Sequence, residues 1–73
     1  MILVWSAEAI DDRNRIMDYI AQDNPLAAIE LDELIESKAN KLIERPKLYQ
    51  ESRRLTGVRE MVVHPNYIVI YRI

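Results

Sequence analysis

At Pro46 the spacing of apolar residues changes, and that change narrows what the chain can fold into. Before it they recur at the three-, four- and seven-residue intervals of a helix; after it they alternate as in a strand. Ala9, Ile10, Ile16, Met17 and Ile20 share one side of a 3.6-residue period, behind a capping Ser6 and with Glu8, Asp11 and Asp12 near the positive helix start. This pattern predicts a helix from Ala7 to about Gln22. Asn24-Pro25 repeats the start signal, because Asn caps free N–H groups and Pro at the first helical position has none to lose. A second helix is therefore expected to carry Ala28, Leu31, Leu34, Ile35 and Leu42 inward and to end at Pro46. So short a connection makes the two helices an antiparallel hairpin.

The strands are read from period-2 runs. Met1 to Trp5 is a short β-branched and aromatic run that predicts a buried first strand. After a loop at Lys47 to Glu51, a short strand is expected near Ser52 to Leu55, then a turn at Thr56-Gly57. Val58 to Val63 and Tyr67 to Ile73 read as a hairpin joined by His64-Pro65-Asn66. The expected fold is α+β, in the order β-α-α-β-β-β, with the helical hairpin packed on one face of a small antiparallel sheet and a single domain spanning residues 1–73. In the last run Tyr67, Val69, Tyr71 and Ile73 share one face and Ile68, Ile70 and Arg72 the other, so both faces are largely apolar. Two helices cover one face; the other is expected to need a partner. The strand reaches Ile73 with nothing to blunt its edge, which predicts a further strand or edge addition by another chain.

Composition removes several classes of function. With 73 residues, no cysteine and one histidine, the chain is neither a disulfide scaffold nor a zinc finger. It must fold on one small core, and is expected to be marginal or self-associating alone and better behaved with a partner. The apolar start lacks the length and basic flank of a signal peptide, and no run approaches a membrane span, so a cytoplasmic location with no membrane contact is expected. Charge is lopsided: residues 1–44 hold ten acids and four bases, net −6, while residues 45–73 hold six bases and two acids, net +4. A basic half points to an acidic or polyanionic partner.

Little of this can do chemistry. Serines stand only at 6, 37 and 52, so no triad is available, and His64 falls in a turn that suits a solvated ring. Arg59 and Glu60 are strand neighbours on opposite faces. No metal site and no cofactor are expected. Arg53, Arg54, Arg59 and Arg72 read as a charged rim, with Tyr67 or Tyr71 as apolar anchors, a surface suited to nucleic acid or to an acidic helix. The alternative for these tyrosines is a place in the core with hydroxyls at its rim. Trp5, Tyr19 and Met61 read as core.

Val4-Trp5-Ser6, Tyr19-Ile20-Ala21, Asn24-Pro25, Ala27-Ala28, Leu42, Pro46 and above all the run Gly57-Val58-Arg59-Glu60-Met61-Val62-Val63-His64-Pro65-Asn66-Tyr67-Ile68-Val69-Ile70-Tyr71-Arg72-Ile73 resemble the RelE/ParE toxins of bacterial type II toxin–antitoxin modules. The resemblance implies the toxin of a plasmid-stabilisation (addiction) module, silenced by a cognate antitoxin that wraps it, with DNA contacted only through that antitoxin. RelE-like members cleave mRNA on the ribosome; ParE-like members poison DNA gyrase by binding. Where the nucleases carry an arginine on the strand before the hairpin, this chain reads Met61-Val62-Val63, and the C-terminal strand that holds their remaining catalytic groups has no counterpart here. The resemblance thus implies a gyrase-binding, non-enzymatic action. The alternatives are an altered ribosome-dependent endonuclease and a truncated, non-toxic remnant that still binds antitoxin.

Overall fold

The structure, a computed structural model, describes residues 2–73. Its elements are α1 (Ala7–Asp23), α2 (Pro25–Glu44), β1 (Arg59–His64) and β2 (Tyr67–Tyr71). Both helix starts are set as their cap residues dictate. Ser6 Oγ accepts the Ala9 N–H at 3.1 Å, and Asn24 Oδ1 accepts the Ala27 N–H at 3.1 Å. Asn24 also closes α1 by donating its own N–H to Ile20 at 2.9 Å, so one residue ends one helix and begins the next. Pro25 takes the first turn of α2.

The helical hairpin lies on the sheet chiefly through α2. Its stripe of Ala28, Leu31, Ile35, Ala39 and Leu42 is buried, and Leu42, Met61 and Val63 join it to β1. Ile16, Met17 and Ile20 of α1 pack against this core from the side, half-buried, and no residue of α1 is fully buried. Arg13 clasps the two helices, donating from Nε to Asp32 at 2.7 Å and pairing through Nη1 with Glu36 at 2.9 Å while its guanidinium lies 4.9 Å from the Trp5 ring centre. Burial alone would lower its pKa, but the two carboxylates outweigh burial and hold it above the ordinary arginine value. The arginine's share of this clasp is thus fully present below the unfolded arginine pKa and fades as pH rises through the still higher folded value.

β1 and β2 pair antiparallel, Arg59 opposite Tyr71 and Met61 opposite Val69, with an irregularity between Val62 and His64 at the hairpin. The α+β class and the packed hairpin agree with the sequence; two of the expected strands do not form. Ile2 to Trp5 runs with alternating exposure but joins no ladder, and Met1 lies outside the described residues. Leu3 and Trp5 still face the core, while Ile2 and Val4 face out. Ser52 to Leu55 turns instead of extending, because Ser52 Oγ accepts the N–H groups of Arg54 at 3.1 Å and Leu55 at 3.0 Å. Only Glu51 bridges to Arg59 as a strand residue would. Tyr19, expected in the core, is 68% exposed, since it sits roughly 100° around α1 from Ile20 and off the packed stripe. Ile10 and Leu34 also lie toward solvent.

Gly57 ends this turn with φ +81°, a conformation that costs residues with a Cβ, although no heavy atom lies within 4 Å of where a Cβ would stand. Gly57→Ala is therefore expected to destabilise the fold by about 1 kcal/mol through the backbone alone. Urea unfolding followed by circular dichroism checks it; an unchanged midpoint would mean that the turn relaxes at no cost.

Candidate functional site

Alternation along the hairpin decides which side chains are available. Met61 and Val63 point under the sheet into the core, so Val62 between them points out and is 56% exposed. On β2 the same alternation turns Tyr67, Val69 and Tyr71 toward the helices and leaves Ile68 and Ile70 outward, 37% and 46% exposed. Val62 stands directly opposite Ile68, which makes one apolar ridge across the outer face of the sheet.

Cations border that ridge. Arg53 and Arg54, on the Ser52 turn, line the same hollow as Val62 and Glu60, and Arg72 follows Ile68 and Ile70 on their side of the chain. All three are exposed, and among the described residues no carboxylate lies within salt-bridge distance of any of them. Glu60, the acid of this face, is engaged by Ser52 Oγ at 2.8 Å. Lys38 reaches across to donate to the Val62 carbonyl at 2.9 Å. The surface is an apolar centre with a positive rim, a form that suits a protein partner with acidic flanks.

The structure brings three of the expected site residues to this face and gives the other three different work. Arg59 is half-buried, donating to the Tyr49 carbonyl at 2.7 Å and lying 3.7 Å from Glu51. Tyr71 donates its hydroxyl to the Pro46 carbonyl at 2.9 Å, tying β2 to the end of α2. Tyr67 packs beneath the sheet with its ring centre 5.6 Å from that of His64. Arg53, Arg54 and Arg72 remain at the open face. Reading the tyrosines as anchors missed Val62, Ile68 and Ile70, although strand alternation from Met61, read as core, was enough to place all three outward.

The groups that could move protons here are already occupied. Ser52 Oγ makes three hydrogen bonds, two accepted from backbone and one donated to Glu60. His64 Nδ1 accepts the Asn66 N–H at 3.1 Å and so closes the hairpin turn. The chain, from the start of the helical hairpin's approach to the end of the sheet, matches a known family. The family model described as "ParE toxin of type II toxin-antitoxin system, parDE" matches residues 3–73.

The chain belongs to the ParE toxin family.

It is also 37% identical over 70 residues to Toxin RelE2 of Caulobacter vibrioides, a match that covers 94% of this chain and 76% of that protein. ParE and RelE names thus meet in one chain, as the RelE/ParE resemblance of the sequence implies. Family membership brings an antitoxin as the partner, since these toxins are one half of type II pairs. Among the described residues no helix is long and apolar enough to cross a membrane.

Proposed function

We propose that this ParE-family chain is held silent by its antitoxin at the outer face of the sheet, and that it acts by binding DNA gyrase. The observation that carries this reading is the exposed Val62, Ile68 and Ile70 ridge, with Arg53 and Arg54 in the hollow beside it and the exposed Arg72 just past the end of β2. An apolar centre of this kind gains from burial against a partner, and a positive rim steers and orients an acidic one. Binding rather than cleavage is favoured by the strand before the hairpin. Met61 and Val63 are sunk in the core and Val62 is apolar, so β1 offers neither a charge to stabilise a transition state nor an acid or base at its centre.

Expression of the chain in bacteria is expected to arrest growth and co-expression of its cognate antitoxin to restore it. Purified protein should inhibit supercoiling by gyrase or trap gyrase-cleaved DNA. Growth unaffected by expression would remove the toxin reading and leave an antitoxin-binding remnant. A second reading, a ribosome-dependent mRNA endonuclease, is kept for one reason: the Caulobacter relative carries the RelE name. New ends in translated mRNA by primer extension, with gyrase untouched, would select it.

A further inference from the structure

Arg53 and Arg54 stand on a span that has very little to hold it. The Ser52 N–H donates to the Val58 carbonyl at 2.8 Å, which closes a loop over residues 53–57. Inside that loop no backbone–backbone hydrogen bond forms among the described residues, and all five side chains are exposed. Ordering such a span costs conformational entropy that only specific contacts can offset.

One side chain supplies the contact. Ser52 Oγ accepts the N–H groups of Arg54 at 3.1 Å and Leu55 at 3.0 Å, and residues 53–57 make no other hydrogen bond among the described residues. A hydroxyl has one proton and two lone pairs, so it can accept from both amides only while its proton points elsewhere. Glu60 gives the proton that direction, since its Oε2 accepts the Ser52 hydroxyl at 2.8 Å. The sheet in turn fixes Glu60, which stands opposite Ile70 and donates its own N–H to the Gln50 carbonyl at 3.1 Å.

Strand alternation gives this relay a consequence. Glu60 and Val62 are two residues apart on β1 and emerge on the same outer face, while Met61 between them is buried. The turn is thus hooked to the face that carries the apolar ridge, and Arg53 and Arg54 line one hollow with Glu60 and Val62. Cations ordered before a partner arrives lose less freedom on binding than cations on a loose loop, so more of their attraction appears as affinity. We infer that Ser52 and Glu60 are positioning residues for partner binding. Glu60 directs the Ser52 hydroxyl, and Ser52 holds the Arg53–Arg54 turn in register with the Val62, Ile68 and Ile70 ridge. The inference rests on the outer face being where the antitoxin sits, and assigns what orders its positive rim.

The test titrates purified antitoxin calorimetrically into the full chain and its variants at low salt, with nitrogen-15 relaxation of the uncomplexed chain recorded beside it. Ser52→Ala should drop the order parameters of the Arg54 and Leu55 amides from about 0.85 to below about 0.6. It should also weaken antitoxin binding about threefold to fivefold, and Ser52→Thr, which keeps the hydroxyl, should restore both. Glu60→Gln and Glu60→Ala remove the same charge, but only glutamine keeps an acceptor oxygen, so Glu60→Ala should bind about threefold more weakly than Glu60→Gln. The loss from Ser52→Ala should largely vanish where Arg53 and Arg54 are already alanine, a coupling that general loosening of the fold does not produce. If the double variant Arg53→Ala, Arg54→Ala binds as the parent does, the antitoxin lies elsewhere and the outer-face reading falls, taking this inference with it. The positioning role alone is overturned if the double variant binds more weakly and any one of three results appears: Ser52→Ala leaves order or affinity unchanged, its loss adds in full to that of the double variant, or Glu60→Ala and Glu60→Gln bind equally.

Discussion

Leu42→Ala is expected to leave the chain largely unfolded at room temperature. Leu42 is 1% exposed, at the point where the buried stripe of α2 meets Met61 and Val63 of β1. Removing a buried leucine side chain loses its transfer free energy and leaves a cavity, together about 3 to 4 kcal/mol at a site this enclosed. A core in a chain of this size supplies only ~3–5 kcal/mol in total, so the change takes most of the net stability. Leu26→Ala is the control. Leu26 stands on the same helix but is 63% exposed, and its loss should move stability by less than about 0.5 kcal/mol. Urea titrations followed by far-ultraviolet circular dichroism separate the two. A Leu42→Ala midpoint close to that of the parent chain would mean that α2 and β1 do not share the core described.

The helices were legible because their signals are local. Ser6, Asn24-Pro25 and the inward stripe of α2 each act within a turn or two of chain, and the caps bond where the sequence places them. Gly57 was legible as a turn for the same reason, since its positive φ is a property of one residue. The failures are non-local. Ile2 to Trp5 has the composition of a strand and the alternating exposure of one, but a strand also needs an edge at hydrogen-bonding distance, and a trough separates it from β2. At Ser52 a side-chain oxygen competes for backbone amides and wins, which β-propensity does not register. The rim shows the same division. Exposure of Arg53, Arg54 and Arg72 follows from sequence, whereas the capture of Arg59 by the Tyr49 carbonyl and of the Tyr71 hydroxyl by Pro46 depends on residues about 10 and 25 positions away.

If the outer face is where the antitoxin sits, Val62→Glu should weaken that complex by about thirtyfold or more while the chain stays folded. Val62 has no core contact to lose, being 56% exposed, so the cost to the fold is limited to the weaker strand preference of glutamate, well under about 1 kcal/mol. In the complex the same position would lie at the centre of the Val62, Ile68 and Ile70 ridge, where a buried carboxylate has no partner and truncation-type losses reach about 2 kcal/mol or more. The carboxylate would also draw on Arg53 and Arg54, which line the same hollow, and so take from the partner the cations that orient it. Tyr71→Phe gives the opposite pattern. It removes the hydroxyl bond to Pro46 and should lower stability by about 1 kcal/mol, yet it touches nothing on the outer face and should leave antitoxin affinity unchanged. Calorimetric titration of both variants with purified antitoxin, beside their urea midpoints, tests the pair together. Equal affinities for Val62→Glu and the parent chain would move the antitoxin off this face, and the exposed ridge would then have to be the surface offered to the toxin's target.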